Sequence, residues 1–255
     1  MPSSFNLQDN IIDVWLCQLN TIQDKNSQFF AQLSVEEKTR AERFKFSVHR
    51  DRFIASHGFV RSVLANYLNI DADEIVYLKG EQGKPYLSPS PNCDTKSLQF
   101  NLSHTQDIAV LAVTKNSEVG IDIEHNDRKT DWKGICKRFF TVPEQDTLFS
   151  LAKEQQEIAF FDLWTRKEAY MKVLGTGLSL SPTEFTLTVF PEKPALIQHH
   201  STKFAALERV EFTSIDLPEP LDAYSATLAV ALTPDSTLSS TLASKKVSCH
   251  FYQFT

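Results

Sequence analysis

The sequence has no long apolar segment and no basic leader. The apolar stretch at residues 11–19 is short and is interrupted by Asp13 and Gln18. No segment approaches the ~20 apolar residues of a membrane-spanning helix. The first residues, Met-Pro-Ser-Ser, lack the positive charge that begins a secretory signal peptide. We therefore expect a cytoplasmic protein that does not associate with membranes.

Cysteine and glycine are both scarce. The four cysteines form no C-x-x-C pair and have no histidine at zinc-finger spacing, so a zinc finger is excluded and reduced thiols are expected. Only 7 of the 255 residues are glycine, so we expect those few to be required where they stand. Four of them lie in the segments considered below, namely Gly83, Gly120, Gly175 and Gly177.

The chain also has no excess of positively charged residues, with 26 lysines and arginines against 32 aspartates and glutamates. The formal net charge of −6 excludes a general affinity for nucleic acid or for an anionic membrane. The exception is a basic segment whose cations are Lys38, Arg40, Arg43, Lys45, Arg50, Arg52 and Arg61. This segment fits a solvated helix face, and it fits equally a surface that binds a phosphate-rich ligand.

The first informative pattern that is present is VGIDIE, at residues 119–124. Its apolar residues alternate with Gly120, Asp122 and Glu124, a period of two that predicts a half-buried strand. The two carboxylates then share one face, and burying both charges is unfavourable unless a divalent cation lies between them. A surface strand with a solvated acidic edge is the alternative. Gly120 would leave room for a ligand close to the backbone.

A second pattern is the amphipathic segment at residues 160–172. At about 100° per residue, one stripe of the predicted helix carries Phe160, Phe161, Trp164 and Met171. Glu168 falls inside that stripe, and Lys172 follows it by one turn. Glu168 either pairs with Lys172 along the helix or faces a charged site. Together with the acidic strand, the second interpretation predicts an acidic metal site with an adjacent lysine.

The order of the predicted elements indicates an α+β fold made of two similar halves. A helix with a capping-box pattern begins at Ser34 and extends to about Tyr67, and strands follow it. The second half repeats a long helix and then strands, and residues 108–114 resemble residues 226–233. We therefore expect a pseudo-twofold duplication, with a long helix packed on an antiparallel sheet in each half. The expected halves are residues 1–116 and 117–255.

Taken together, these motifs resemble those of the 4′-phosphopantetheinyl transferases, specifically the long, Sfp-like group. That family is marked by a (V/I)G(I/V)D(I/V)E strand and a W-x-x-K-E-A-x-x-K helix, which stand here at residues 119–124 and 164–172. Similar segments occur at residues 83–85 (GKP), 101–104 (NLSH), 138–140 (RFF, with Glu144 after it) and 175–179 (GTGLS). The match covers roughly residues 40–190.

The resemblance implies transfer of 4′-phosphopantetheine from coenzyme A to a serine of an apo acyl, peptidyl or aryl carrier protein, with release of adenosine 3′,5′-bisphosphate. Such carriers serve fatty acid, polyketide and nonribosomal peptide biosynthesis. The resemblance also implies a Mg²⁺ or Mn²⁺ ion held by Asp122, Glu124 and Glu168. Glu168 or a metal-bound water would remove the serine proton. Lys172 would stabilise the pyrophosphate or assist the proton transfer.

The nucleotide end of coenzyme A is expected to bind in the N-terminal half. The residues that match the family there are Arg52, Lys84, Ser103 and His104, and Arg43 matches less closely. Lys172 would contact the same ligand from the C-terminal half, so the resemblance places the active site at the interface of the halves. A monomer is expected.

Two other classes of function fit part of the pattern. A metal-dependent nuclease or nucleotidyl enzyme also needs clustered carboxylates and a lysine, but it should show a wide basic groove, whereas the cations here concentrate in one helix. An inactive module that docks carrier proteins should lack Lys172 or one of the three acidic side chains. The chain has all four of these residues, Asp122, Glu124, Glu168 and Lys172. The transferase is therefore the preferred interpretation.

Overall fold

The computed structural model describes residues 7–8, 11–126, 130–232 and 248–255. The α-helices of this part are α1 (Asn26–Gln32), α2 (Val35–Glu42), α3 (Ser47–Leu68), α4 (Trp132–Phe139), α5 (Val142–Ser150) and α6 (Lys153–Leu174). The strands are β1 (Ile11–Gln18), β2 (Tyr77–Lys79), β3 (Pro85–Leu87), β4 (Leu98–Thr105), β5 (Ile108–Lys115), β6 (Val119–His125), β7 (Phe185–Leu187), β8 (Leu196–His199), β9 (Val210–Ser214), β10 (Tyr224–Ala231) and β11 (Ser248–Phe254). The predicted α+β class is confirmed.

The described chain divides into two compact units. The first contains the residues up to Lys79, Pro85–Asn116 and strand β11, and the second contains Gly80–Lys84 and the residues from Ser117 to 232. This division differs from the expected halves in two places, because the 80–84 turn joins the second unit and the C-terminal strand joins the first. Among the residues that the structure describes, no helix is long and apolar enough to cross a membrane.

In the first unit, the strand order is β11-β1-β5-β4. Strands β1, β5 and β4 are antiparallel, as expected, and β11 adds a parallel pairing with β1 that was not expected. The reason that β11 joins this unit is aromatic packing. Tyr252 stacks on Trp15 with ring centroids 4.6 Å apart, and Phe254 contacts Phe29 and Phe59. Such rings bury large apolar areas.

The helices of the first unit begin as predicted but are broken once. The amide of Glu37 donates to Ser34 Oγ and the amide of Ser34 donates to Glu37 Oε2, which confirms the capping box. The single helix expected to run to Tyr67 is instead two helices, α2 and α3, because residues 43–46 leave the helical path. Within that break, Phe44 packs against Phe53 of α3, with ring centroids 5.4 Å apart.

In the second unit, β6, β10 and β9 form an antiparallel sheet in the order β6-β10-β9, and α6 packs on it. Helix α6 ends where predicted, with Gly175 in the left-handed conformation at φ 69°. Strands β7 and β8 form a separate pair. A second apolar core joins α4, α5, α6 and this pair of strands.

The two units share one topology. The series β1, α3, β4, β5 corresponds to the series β6, α6, β9, β10. In the first sheet β5 lies between β1 and β4, and in the second sheet β10 lies in the same way between β6 and β9. Both long helices contain 22 residues. The two similar segments noted in the sequence form these interior strands, β5 and β10, apart from Leu232, which follows β10, and Thr233, which lies outside the described residues. This correspondence agrees with the expected duplication.

A partly buried ion network ties α2 to α3 in the first unit. Glu37 contacts His57 Nδ1 at 2.8 Å and the guanidinium of Arg61 at 2.7 Å. Arg61 is 1% exposed and also donates to the carbonyls of Ala72 and Ile75. Burial alone would raise the pKa of Glu37, but the hydrogen bonds from His57 and Ser34 and the charge of Arg61 outweigh it and lower this pKa to about 2. Arg61 therefore does not belong to a ligand-binding basic surface.

We expect Glu37→Gln to lower the free energy of unfolding at neutral pH by about 3 kcal/mol, because Arg61 then keeps a buried charge without its carboxylate. The folded-state pKa of Glu37 lies below its ordinary value of 4.5. Its stabilisation is therefore fully present well above pH 4.5 and is lost as the pH falls through about 2. Urea denaturation at a series of pH values should show the difference between wild type and variant shrinking over that interval. Glu36→Gln, at an exposed neighbour, is the control, and an equal effect of both substitutions would contradict the network.

Candidate active site

The site is built where α6 lies against β6. Gly120, Asp122 and Glu124 share one face of β6, and α6 covers that face at Gly120. A Cβ atom at Gly120 would overlap the carbonyl oxygen of Ala169 and the amide nitrogen of Val173. The space above this glycine is therefore filled by the helix backbone. Our expectation that it would admit a ligand was wrong, because the helix takes the room that the missing side chain leaves.

This close approach brings Lys172 onto the acidic strand. Its ammonium donates to Asp122 Oδ1 at 2.7 Å and to the carbonyl oxygen of Ile121 at 3.0 Å. Asp122 is buried and Lys172 is about one quarter exposed. The alternative of an ion pair along the helix between Lys172 and Glu168 is not what the structure shows, because the ammonium crosses to the neighbouring strand instead.

Glu168 completes the group of charges. Burial, together with the negative charges of Asp122 and Glu124, raises the pKa of Glu168 to about 7, while Lys172 opposes this shift. Glu168 therefore interacts electrostatically with the carboxylates of Asp122 and Glu124. Within the described residues, no three His, Cys, Asp or Glu side chains are arranged closely enough to form a metal site as they stand. The assignment of metal ligands remains a prediction.

Lys84 lies on the turn that joins β2 and β3, and this turn belongs to the second unit. Its ammonium donates to Glu118 Oε2 at 2.8 Å and to the carbonyl oxygen of Val119 at 3.0 Å. Ser179 also donates to Gln82 of the same turn. These contacts explain why Lys84 is grouped with the acidic strand and not with the N-terminal half to which the sequence assigned it.

The other predicted nucleotide-binding residues belong to the first unit. Arg52 makes a two-pronged ion pair with Asp107, at 2.6 and 2.7 Å, which holds it at the turn between β4 and β5. Ser103 is buried and His104 is exposed, because consecutive residues of β4 face opposite sides of the sheet. Arg43 is exposed at the end of α2. Their roles in binding, and the placement of the active site between the halves, remain predictions.

Comparisons with known proteins assign the chain to a family. The model of the 4′-phosphopantetheinyl transferase superfamily matches residues 118–229, and the model of the 4′-phosphopantetheinyl transferase N-terminal region matches residues 18–116. The chain is 36% identical over 198 residues to the 4′-phosphopantetheinyl transferase HetI of Nostoc sp., which covers 77% of this chain and 82% of that relative. This chain belongs to the 4′-phosphopantetheinyl transferase family.

Two further relatives support the long, Sfp-like type of this transferase. The 4′-phosphopantetheinyl transferase psf-1 of Bacillus pumilus is 32% identical over 190 residues, covering 72% of this chain and 78% of the relative. The 4′-phosphopantetheinyl transferase Sfp of Bacillus subtilis is 30% identical over 176 residues, covering 69% and 75%. The family predicted from the sequence motifs is confirmed.

The sequence patterns missed two buried cations of this transferase, both on α6. Arg166, which is 2% exposed, forms an ion pair with Asp162 and donates to the carbonyls of Thr188 and Glu192. Lys167 is also fully buried. Helical periodicity did place Asp162 and Arg166 away from the apolar stripe, but it could not show that β7, β8 and their connection cover that side too.

We expect Gly120→Ala to impair the transferase strongly, because the added methyl group meets backbone atoms of α6 that cannot rotate away. Overpacking of this kind costs about 1–3 kcal/mol or more, and the helix should move away from Asp122. Thermal denaturation and an assay of transferase activity check this. Gly80→Ala is the matched control, because its nearest heavy atom, the carbonyl oxygen of Lys84, is 3.6 Å from the added carbon. Similar behaviour of the two variants would refute the role of close packing.

Proposed function

We propose that this transferase moves 4′-phosphopantetheine from coenzyme A to a serine hydroxyl of an apo acyl, peptidyl or aryl carrier protein, with Mg²⁺ as cofactor. The observation that supports this proposal is the contact of Lys172 with Asp122 beside Glu124 and Glu168. Such a cluster of acidic oxygens with one ammonium suits the transfer of a phosphoryl group, in which positioning and charge stabilisation supply most of the catalysis.

The donors of the cluster fit a divalent metal ion. Carboxylate oxygens are the ligands that Mg²⁺ and Mn²⁺ prefer, and Asp122, Glu124 and Glu168 would hold the ion. Burial and, after it, the charges of Asp122 and Glu124 raise the pKa of Glu168, and a divalent cation bound there would oppose these effects. Bound there, the metal ion would neutralise charge on the pyrophosphate of coenzyme A.

The side chains of the protein have separate tasks in the proposed reaction. The serine oxygen attacks the β-phosphorus of coenzyme A, the bond from that phosphorus to the bridging oxygen breaks, and adenosine 3′,5′-bisphosphate leaves with the bridging oxygen. Glu168 accepts the serine proton, since its carboxylate makes no hydrogen bond within the described part of the chain. Lys172 stabilises the charge that develops on the leaving phosphate. Its contacts with Asp122 and Ile121 keep its ammonium oriented.

The nucleotide end of coenzyme A is proposed to bind Arg52, Lys84, Ser103 and His104, with Arg43 as a weaker candidate. A 3′-phosphate carries nearly two negative charges at neutral pH and accepts several charge-assisted hydrogen bonds. It can therefore compete with the single carboxylate of Glu118 for the ammonium of Lys84. The ammonium of Lys84 donates to the carbonyl oxygen of Val119, the residue before Gly120, so this lysine lies at the start of the acidic strand.

We expect the protein to add one phosphopantetheine group to an apo carrier protein when coenzyme A and Mg²⁺ are supplied. Asp122→Ala should lower the rate at least about 100-fold, because a charge that stabilises the reacting groups is lost, and EDTA should abolish the transfer until Mg²⁺ is restored. Intact-protein mass spectrometry of the carrier measures the transfer.

The control for Asp122→Ala is Glu157→Ala, which removes an exposed acidic side chain from α6 and should leave the rate unchanged. A wild-type rate in Asp122→Ala would contradict the assignment of the cluster. If the wild type modifies no carrier but nicks plasmid DNA in the presence of Mn²⁺, the metal-dependent nuclease is the correct class instead. If it only binds carriers, the docking module is correct.

We also expect the wild type to bind coenzyme A at least about tenfold more tightly than 3′-dephospho-coenzyme A, a difference of ~1.4 kcal/mol. The physical reason is the loss of charge-assisted hydrogen bonds to the 3′-phosphate. Calorimetric titration of both ligands measures the preference, which should shrink in Lys84→Ala and in His104→Ala. Lys96→Ala, at an exposed lysine of the first unit, is the control. Equal affinities of the wild type for both ligands would make these residues structural.

A further inference from the structure

A second charged pair lies on α6, next to the proposed active site but facing away from it. Lys167 and Glu144 form an ion pair at 2.8 Å, and both side chains are 0% exposed. Glu144 belongs to the first turn of α5, and Lys167 directly precedes Glu168. The reaction proposed above uses neither of them, and the transferase motifs contain both.

Every polar atom of this pair has a partner inside the protein. The ammonium of Lys167 donates to Glu144 and to the carbonyl oxygens of Pro182 and Phe185, at 2.7 and 2.9 Å. These three bonds use all three donors of an ammonium. Glu144 also accepts from the amides of Thr141 and Leu187, each at 2.8 Å. Lys167 therefore has neither exposure nor a spare donor with which to touch a substrate.

The pair joins α6 to two other parts of the second unit. Thr141 and Glu144 begin α5, Pro182 and Phe185 belong to the segment that enters β7, and Leu187 ends that strand. Lys167 also lies over the rings of Phe185 and Phe140, 4.4 and 5.7 Å from their centroids. On α6, a single residue, Lys167, makes these contacts, and it directly precedes Glu168 of the proposed active site.

This attachment limits rotation of α6 about its own axis. At Gly120 the backbone of the helix lies against β6, which sets the distance between helix and strand. Side-chain bonds hold the rotation: Lys172 bonds Asp122, Arg166 bonds the carbonyls of Thr188 and Glu192, and Lys167 adds its bonds at the residue next to Glu168. A side chain of a helix ends about 5–6 Å from the axis, so a rotation of about 20° would move the Glu168 carboxylate by roughly 2 Å. Catalytic groups tolerate displacements of only about 0.5–1 Å.

A stability role alone does not explain a buried charge pair. Replacing such a pair by apolar side chains of similar volume is often neutral or stabilising, because both charges must be desolvated. Both side chains of this pair are 0% exposed, so both charges lose their hydration here. What the pair provides is a directional contact that apolar residues cannot make.

We propose that Glu144 and Lys167 are positioning residues, which set the rotation of α6 and thereby place Glu168 and Lys172 for transfer. This inference rests on the proposed function, since it concerns how the same site is held in its active arrangement.

The experiment compares three variants with the wild type. Lys167→Met removes the ammonium and keeps the length of the side chain, and the double variant Glu144→Gln/Lys167→Met also neutralises the carboxylate that would otherwise be left unpaired. If Lys167→Met does not fold, the double variant decides. Leu148→Ala is the matched control, because it opens a cavity at a fully buried residue of α5, costs about 2–5 kcal/mol and leaves the ion pair intact.

The kinetic constants are measured with coenzyme A and an apo carrier, at a temperature where circular dichroism shows each variant folded. We expect kcat of the double variant to fall about 10- to 100-fold, with KM for coenzyme A changed less than about threefold. Leu148→Ala should keep the wild-type kcat even where its Tm is lower than that of the double variant. A folded double variant with wild-type kcat would overturn the inference, and so would an equal loss of kcat in Leu148→Ala.

Hydrogen–deuterium exchange of α6 peptides separates this inference from the proposed function. We expect the amides around Lys167 to exchange faster in the double variant than in Leu148→Ala. If the wild type transfers no phosphopantetheine and the exchange still differs in this way, the proposed function fails and the anchoring of α6 stands. If the wild type transfers and neither kcat nor exchange changes in the double variant, the function stands and the positioning role is refuted.

Discussion

Helix α6 and strand β6 meet without a side chain between them at Gly120, and the other features of the second unit follow from that contact. The backbone atoms that touch Gly120 belong to Ala169 and Val173, and Lys172 lies between them, so its ammonium reaches Asp122. A longer separation would carry the ammonium away from Asp122. The one position in the strand that has no Cβ therefore determines which charges meet.

Two lysines five residues apart on this helix have opposite environments. Lys172 is partly exposed and contacts the acidic strand, whereas Lys167 is enclosed by Glu144 and two carbonyl oxygens. The helix thus carries one ammonium toward the proposed substrate and uses the other to hold its own orientation. The two side chains are chemically identical, so the difference between their roles comes from how deeply each is buried and which acceptors surround it.

The correspondence of the two units shows how one topology can carry different chemistry. In the first unit Asp13 of β1 accepts a hydrogen bond from the hydroxyl of Tyr67, near the end of α3. In the second unit Asp122 of β6 accepts one from Lys172, near the end of α6. Each pair joins the first strand of its series to the last turns of the long helix. A neutral hydroxyl in the first unit takes the place of the ammonium in the second.

The sequence by itself determined the elements whose signals are local. The alternation at residues 119–124, the cap at Ser34 and the helix-ending Gly175 each act within a few residues, and the ordered motifs specified the family. Only the tertiary structure decided that β11 completes the first sheet, that Arg61 is buried and that Lys172 pairs with Asp122. Each of these depends on residues distant in the chain, and periodicity records which side of an element is apolar but not which partner covers it.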